Sequence, residues 1–263
     1  MRIGIVGFGN LGQFLADAIL KRDDLELAFV WNRTQATLQG KVDSSFILED
    51  LDDFAEREAD LIVEVAHPKI TALYGPRFLQ HADYLIGSPT AVADREIESQ
   101  LRNAAKNHGF YIPTGAFWGG EDIKRMADRG ALQALKITMT KHPRSFKVVG
   151  DLVEKRDRAI ATGQRTVLYD GAVRPLCPLA PNNVNTMAAA ALAAHTLGFD
   201  HVQGSIIADA SVGDWHIVEV ETWGPGDKKQ GFHVKTVRRN PAPVGNVTGA
   251  ATYLSFVGSM LGM

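Results

Sequence analysis

One cysteine, Cys177, is all that the 263 residues contain. A lone thiol forms no internal disulfide and supplies no cysteine-rich zinc site, so the chain is expected in a reducing compartment, the cytoplasm, without a structural metal. Long hydrophobic runs are missing too. None approaches the roughly 20 residues that span a bilayer, and Met1-Arg2 leads directly into the strand-like Ile3-Gly4-Ile5-Val6, so neither a membrane partner nor an export route is expected. Charge of one sign is not in excess: 28 Lys and Arg face 30 Asp and Glu. Blocks of roughly five or six like charges, the mark of a nucleic-acid arm or an acidic tail, do not occur, and nucleic acid is not an expected partner. Internal repeats and low-complexity stretches are absent as well.

What is present is the composition of a folded protein, 45% hydrophobic and 22% charged, at a length that suits two domains. A buried strand is expected at Arg2 to Val6, then a glycine turn, then a helix from Leu11 to Arg22 with Leu11, Leu15, Ala18 and Ile19 on one face. The alternation continues with a strand at Leu25 to Trp31, a helix at Leu51 to Arg57, a strand at Leu61 to Val65 and a helix from His67-Pro68 to about His81. A strand at Tyr84 to Gly87, a helix at Asp94 to Asn107 and a strand at Phe110 to Pro113 complete a doubly wound parallel sheet, a Rossmann domain over residues 1–113.

After Gly115 the βα rhythm stops. A helix at Glu121 to Arg129, a strand at Leu135 to Lys141 and an alanine-rich helix at Val184 to Leu197 precede strands at Val202 to Ala208, His216 to Thr222 and Gly231 to Arg239. Short connections make those last strands antiparallel neighbours, so residues 114–244 are expected to form an α+β domain with a mixed or antiparallel sheet. The loop Gly224-Pro225-Gly226-Asp227-Lys228-Lys229 reads as a turn. A last helix, Thr248 to Leu261 within residues 245–263, is placed to return to the first domain.

The fingerprint Gly7-Phe8-Gly9-Asn10-Leu11-Gly12 gains its meaning from its position between a strand and a helix. Gly7 permits the tight turn, Gly9 lets the backbone approach a pyrophosphate, Gly12 allows close packing, and the helix N-terminus offers free N–H groups. The alternative is a tight turn alone. Where an NAD-specific site has a carboxylate, the second strand ends in Asn32. Asn32 can bond a ribose hydroxyl without repelling a 2′-phosphate, and Arg33 and Thr34 can hold one, so NADP is expected to be accepted as well as NAD. Ala66-His67-Pro68 and Gly87-Ser88-Pro89-Thr90 follow later strands where loops reach the nicotinamide. His67 and Ser88 are therefore candidate cofactor contacts, or else the residues that start the next helices.

Pro113 to Gly120 combines small residues with Phe117 and Trp118 and reads as a ring-accepting loop or a hinge. Asn183 and Asn185 begin the alanine-rich helix, Asn183 as its cap or both as ligand contacts. Among eight histidines, His216 is the candidate catalytic residue: an imidazole with an ordinary pKa of about 6.5 suits proton transfer, and Asp214 is close enough in sequence to orient it. A dicarboxylate substrate would need cations, and Lys141-His142-Pro143-Arg144 with Lys147 is the candidate cluster, each member otherwise a solvated basic residue.

Taken together, Gly7 to Gly12, Val30-Trp31-Asn32-Arg33, Val63 to Ile70, Gly115-Ala116-Phe117-Trp118-Gly119-Gly120-Glu121-Asp122-Ile123, Pro181 to Ala193 and the His216 strand resemble the L-aspartate dehydrogenase family from end to end, and its animal branch closely. The resemblance implies oxidation of L-aspartate to iminoaspartate with NAD or NADP, hydrolysis of the imine to oxaloacetate and ammonia, and the reverse reductive amination. It implies His216 as the proton-transfer residue, Ala116 and Asn185 as cofactor contacts, and a homodimer built through the second domain. Phe117-Trp118 departs from the prokaryotic members, which have small residues there. Two other readings share these features: a dinucleotide reductase of the homoserine dehydrogenase or dihydrodipicolinate reductase type acting on another amino or hydroxy dicarboxylate, and a non-catalytic NADP-binding sensor.

Overall fold

The computed structural model describes residues 1–226, 230–249 and 251–262. The chain divides into two compact units, Met1–Pro113 with Val257–Met263, and Thr114–Phe256.

In the first unit, β1 (Arg2–Val6), α1 (Asn10–Leu20), β2 (Glu26–Trp31), β3 (Leu61–Glu64), α2 (Pro68–Phe78), β4 (Asp83–Ile86), α3 (Arg95–Ala104) and β5 (Phe110–Tyr111) follow one another. The strands form one parallel sheet in the order β2-β1-β3-β4-β5. Strands buried on both faces need continuous apolar runs, as in Ile3 to Val6 and Leu61 to Val63. Ile3, Ile5, Leu15 and Ile19 are fully buried, each such side chain stabilising the fold by about 1.5–3 kcal/mol. Chain order reverses direction across β1 and β3, which makes the carboxyl ends of these two strands the crevice where such sheets bind ligands.

Helices α2 and α3 end about three residues earlier than expected, at Phe78 and Ala104, and two further elements differ for a physical reason. Residues Leu51–Arg57 form a 3-10 helix, not an α-helix. Its buried residues, Leu51 and Phe54, are three apart, the repeat of a 3-10 helix, and Asp50 accepts a hydrogen bond from the Asp52 amide at its start. The last strand stops at Tyr111, two residues before Pro113, which has no N–H to give a ladder.

The second unit contains α4 (Gly120–Asp128), β6 (Ala134–Lys141), α5 (Leu152–Thr162), β7 (Thr166–Ala172), α6 (Val173–Leu176), α7 (Asn185–Ala193), α8 (Gly198–His201), β8 (Gln203–Ala208), β9 (Trp215–Trp223) and β10 (His233–Pro241); the last helix, α9 (Ala251–Leu261), belongs to it up to Phe256 and to the first unit from Val257. Its sheet is mixed, in the order β10-β9-β6-β8-β7, with β6 and β8 parallel and the other pairs antiparallel. The expected adjacency of the 202–208 and 216–222 strands is therefore incorrect, because β6 lies between them. Burial along β8 explains this: it is buried from Gly204 to Ala208, the signature of an interior strand, whereas β9 alternates. The alanine-rich helix is shorter than expected and ends at Ala193; with Thr186 to Ala191 all buried it has no polar face. In the loop joining β9 to β10, Gly224 donates to Phe232 and Phe232 to Pro225, while residues 227–229 lie outside the described residues, as do residue 250 of the expected last helix and residue 263.

Candidate active site

The glycine loop is fixed by close approaches. A Cβ on Gly12 would lie 2.0 Å from the Gly7 carbonyl oxygen, and one on Gly7, whose φ is 111°, would lie 2.8 Å from the Ala66 amide nitrogen. Both positions therefore exclude larger residues, and the loop rests on the segment that follows β3. At Gly9 a Cβ would meet nothing within 4 Å. Gly9 is the N-cap of α1 and offers no side chain to the first turn, which has no acidic residue either. The helix thus presents bare amides and its positive end beside Gly9 and the exposed Asn10, with Leu11 half-buried and Phe8 buried behind. This fits a dinucleotide pyrophosphate.

Asn32 holds the loop to the end of β2. Its Oδ1 accepts from the Phe8 amide at 3.1 Å, while Nδ2 donates to the Thr34 carbonyl at 3.1 Å and to Thr37 Oγ1 at 2.7 Å. Arg33 and Thr34 are exposed beside it. Both hydrogen-bonding ends of Asn32 are engaged within the chain, and the charge beside it is the exposed Arg33.

Sequence reading missed the group that organises the next two loops. Glu64, the last residue of β3, is fully buried. Its Oε1 accepts from the amides of Ala66 at 2.6 Å and His67 at 2.7 Å and from Ser88 Oγ at 3.2 Å, and its Oε2 accepts from the Ser88 amide at 3.0 Å. Burial raises its pKa to about 7 against the pull of these hydrogen bonds. Ala66, His67 and Ser88, chosen from sequence as cofactor contacts, are thus held by one carboxylate. His67 is also the N-cap of α2, where its Nδ1 accepts from the Lys69 amide at 3.2 Å ahead of Pro68. The ring is half-buried, and burial lowers its pKa. The signal for Glu64 was a carboxylate inside an apolar strand, which only a satisfied or functional acid can occupy.

In the second unit the catalytic candidate and one lysine meet. His216 on β9 is 4% exposed, and its Nε2 has no partner among the described residues. The β6–β9 register sets Thr140 opposite Ile217, so one step further Lys141 stands beside His216. Lys141 is 2% exposed, with Nζ 3.2 Å from the Val247 carbonyl oxygen and 5.6 Å from the centre of the Phe146 ring. No carboxylate pairs with it among the described residues. Burial draws its pKa down to about 7. Burial, followed by the nearby Lys141 charge, draws that of His216 down to about 4, partly opposed by a hydrogen bond to the Asn246 backbone. His216 is therefore a neutral base at neutral pH.

Asp214 does not orient the ring as expected. Its Oδ1 accepts from the Val244 amide at 2.8 Å and its carbonyl from the Ala242 amide at 2.8 Å, which ties down the segment after β10. The rest of the basic cluster diverges from Lys141: His142 is half-buried and accepts from the Arg144 amide through Nδ1, and Lys147 is exposed. Asn183 is not the cap of α7; Val184 is. The Asn183 amide donates to the Lys147 carbonyl at 2.7 Å, leaving its buried Oδ1 without a partner. Asn185 is the first residue of α7. Ala116 is half-buried next to Gly115, whose carbonyl accepts from Arg238 Nη1 at 3.0 Å. Of the two aromatics that follow, Phe117 is buried and Trp118 lines an apolar pocket of about 340 Å³ with Ile123, Met126, Val220 and Val234.

A profile of the family described as aspartate dehydrogenase, C-terminal, matches residues 122–262, and one described as homoserine dehydrogenase, NAD binding domain, matches residues 7–113. The aspartate dehydrogenase domain-containing protein of Xenopus tropicalis is 56% identical over 99% of this chain and 94% of its own length. The L-aspartate dehydrogenase of Methanococcoides burtonii is 28% identical over 99% of this chain and 96% of its own. The crystal structure of aspartate dehydrogenase from Thermotoga maritima, 21% identical, covers 99% of this chain and 94% of its own with a TM-score of 0.69, which shows a common fold. The glycine loop and its uncapped helix agree with the NAD-binding match, and the cofactor is NAD or NADP. With more than half of its length matched by the family profile and a full-length relative above half identity, the chain belongs to the aspartate dehydrogenase family.

Proposed function

We propose that the protein is an NAD(P)-dependent dehydrogenase that oxidises L-aspartate to iminoaspartate, which water converts to oxaloacetate and ammonia, and that it also runs the reverse reductive amination. The observation that carries this reading is the neighbouring pair of His216, a buried base whose Nε2 has no partner among the described residues, and Lys141, a buried cation without a counter-ion among them. Bound NAD(P)⁺ supplies the acceptor for the Cα hydrogen and its electron pair. Lys141 binds a substrate carboxylate, whose charge in turn favours the protonated lysine. His216 takes a proton from the substrate ammonium as the C=N bond forms and returns it in reverse. Asn32, which carries no charge against a 2′-phosphate, and the exposed Arg33 support use of NADP as well as NAD.

We assign the active form as a homodimer formed through the second unit, whose edge strand β10 exposes Val234 and Val237. The location we assign is the cytoplasm, in keeping with a free Cys177 whose thiol burial pushes up to about 12. A small-molecule substrate is the only partner besides the second copy.

The direct test is absorbance at the reduced-nicotinamide band with L-aspartate and NAD or NADP, and with oxaloacetate and ammonia in reverse. Turnover that requires aspartate is expected. Silence in both directions from protein that still binds cofactor would overturn the reading in favour of another dicarboxylate or a cofactor-binding sensor.

Lys141 makes a pH-dependent prediction. Its pKa is lowered in the folded protein, so the cation is present below about 7 and is lost as pH rises through that value. Succinate, a dicarboxylate without an amine, should therefore bind progressively more weakly above pH 7, approaching a tenfold loss per pH unit. Calorimetric titration at saturating NADP checks this. K141M should bind succinate weakly at every pH in this range, yet melt no lower than wild type, because an unpaired buried cation opposes folding.

A further inference from the structure

Asn240 on β10 is 2% exposed, and its Oδ1 has no hydrogen-bond partner among the described residues. A buried amide oxygen left without a donor is costly, and each such group in a native fold calls for an explanation, a role in the site among them. The antiparallel register of β9 and β10 pairs Asn240 directly with His216, so the two side chains are neighbours on one face of the sheet. Across three strands the order is Lys141, His216, Asn240. His216 Nε2 is likewise unpartnered, and the ring hydrogen bond to the Asn246 backbone assigns the proton to the other nitrogen. Two buried acceptors therefore stand side by side, with the cation on the far side of the ring.

We propose that Asn240 is a substrate-binding residue that, with His216, seats the α-amino group and so selects amino acids over the corresponding hydroxy acids. An ammonium carries three N–H donors and can satisfy His216 Nε2 and Asn240 Oδ1 together. A hydroxyl carries one and must leave one acceptor bare, the situation in which a polar site rejects an analogue most strongly. The Lys141 cation favours the carboxylate at its own end and disfavours the ammonium there, which fixes the direction in which the substrate lies. This inference rests on the proposed binding of a dicarboxylate at Lys141 and His216.

The test compares L-aspartate, L-malate and succinate by calorimetric titration at saturating NADPH, with which aspartate is not oxidised. Wild type should bind aspartate at least tenfold more tightly than malate. N240L, close in shape but without an acceptor, should weaken aspartate about tenfold to a hundredfold while leaving malate and succinate within about threefold. N240D, which keeps the oxygen, should retain the preference for aspartate. Circular dichroism melting verifies folding, and N240A carries the same comparison if N240L does not fold. Equal weakening of all three ligands, or an unchanged preference for aspartate in a folded N240L, would overturn the role of Asn240 while leaving aspartate oxidation standing if wild type turns over. Binding of aspartate with the predicted N240L loss but without turnover would support the amino seat and remove the dehydrogenase reading. Binding of none of the three ligands by wild type would remove both.

Discussion

Replacing His216 by alanine should lower aspartate turnover about 100-fold or more while NADP binds as in wild type. The expectation follows from where the residue lies. His216 belongs to the second unit and the glycine loop to the first. Its Nε2 has no partner among the described residues and lies on the sheet face that also carries Lys141, while Asp214 is engaged with Val244. Wild-type kcat/KM should decline in acid as the ring protonates, toward the low value of about 4 set by burial and Lys141. Because the folded pKa is depressed, the reactive neutral form dominates above that range and is lost as pH falls through it. Steady-state rates and NADPH fluorescence titration on the same preparation separate the two effects. Unchanged turnover in H216A would remove His216 from the mechanism and leave Lys141 as the remaining buried base on that face.

The part of the site carried by local pattern was legible in the sequence. A strand, a glycine turn and a helix written consecutively from Arg2 to Leu20 can form in few ways, and the chemistry of that turn follows from its glycines. His216 was legible as a candidate because it stands near the start of an alternating strand, where it takes a buried position. The parts that depend on strand order were not. Lys141 and His216 are neighbours only because β6 lies between β8 and β9, a long-range arrangement with no trace in the spacing of either segment. Asn240 was hidden for the same reason, as an amide near the end of an edge strand whose place opposite His216 appears only in the sheet register. Glu64 was visible but unread: a carboxylate inside Leu61-Ile62-Val63-Glu64 looks like the end of a strand until the amides of Ala66, His67 and Ser88 are found around it. Basic residues close in sequence, Lys141, His142 and Lys147, diverge because alternation in a strand and the turn after it sends each to a different environment.

Two glycines of one fingerprint should respond differently to the same added methyl group. Gly9 has a φ of −74°, which any residue adopts, and a Cβ there meets no protein atom within 4 Å. G9A should therefore melt within about 2 °C of wild type, as expected where neither strain nor overpacking arises. Its methyl group would nevertheless occupy the space beside the bare amides of α1, where the pyrophosphate must approach the backbone. NADPH affinity should fall about tenfold or more, the loss expected when charge-assisted hydrogen bonds lengthen. At Gly12 the clash is internal, with the Gly7 carbonyl oxygen 2.0 Å away and Gly7 itself held at a φ of 111° against Ala66. G12A must displace the loop, so it should lose both melting temperature and cofactor affinity, the latter by about 100-fold. Thermal melts paired with NADPH titrations distinguish the cases. A G9A variant that binds NADPH normally would mean that no phosphate comes near Gly9, and the cofactor would have to be sought away from the N-terminus of α1.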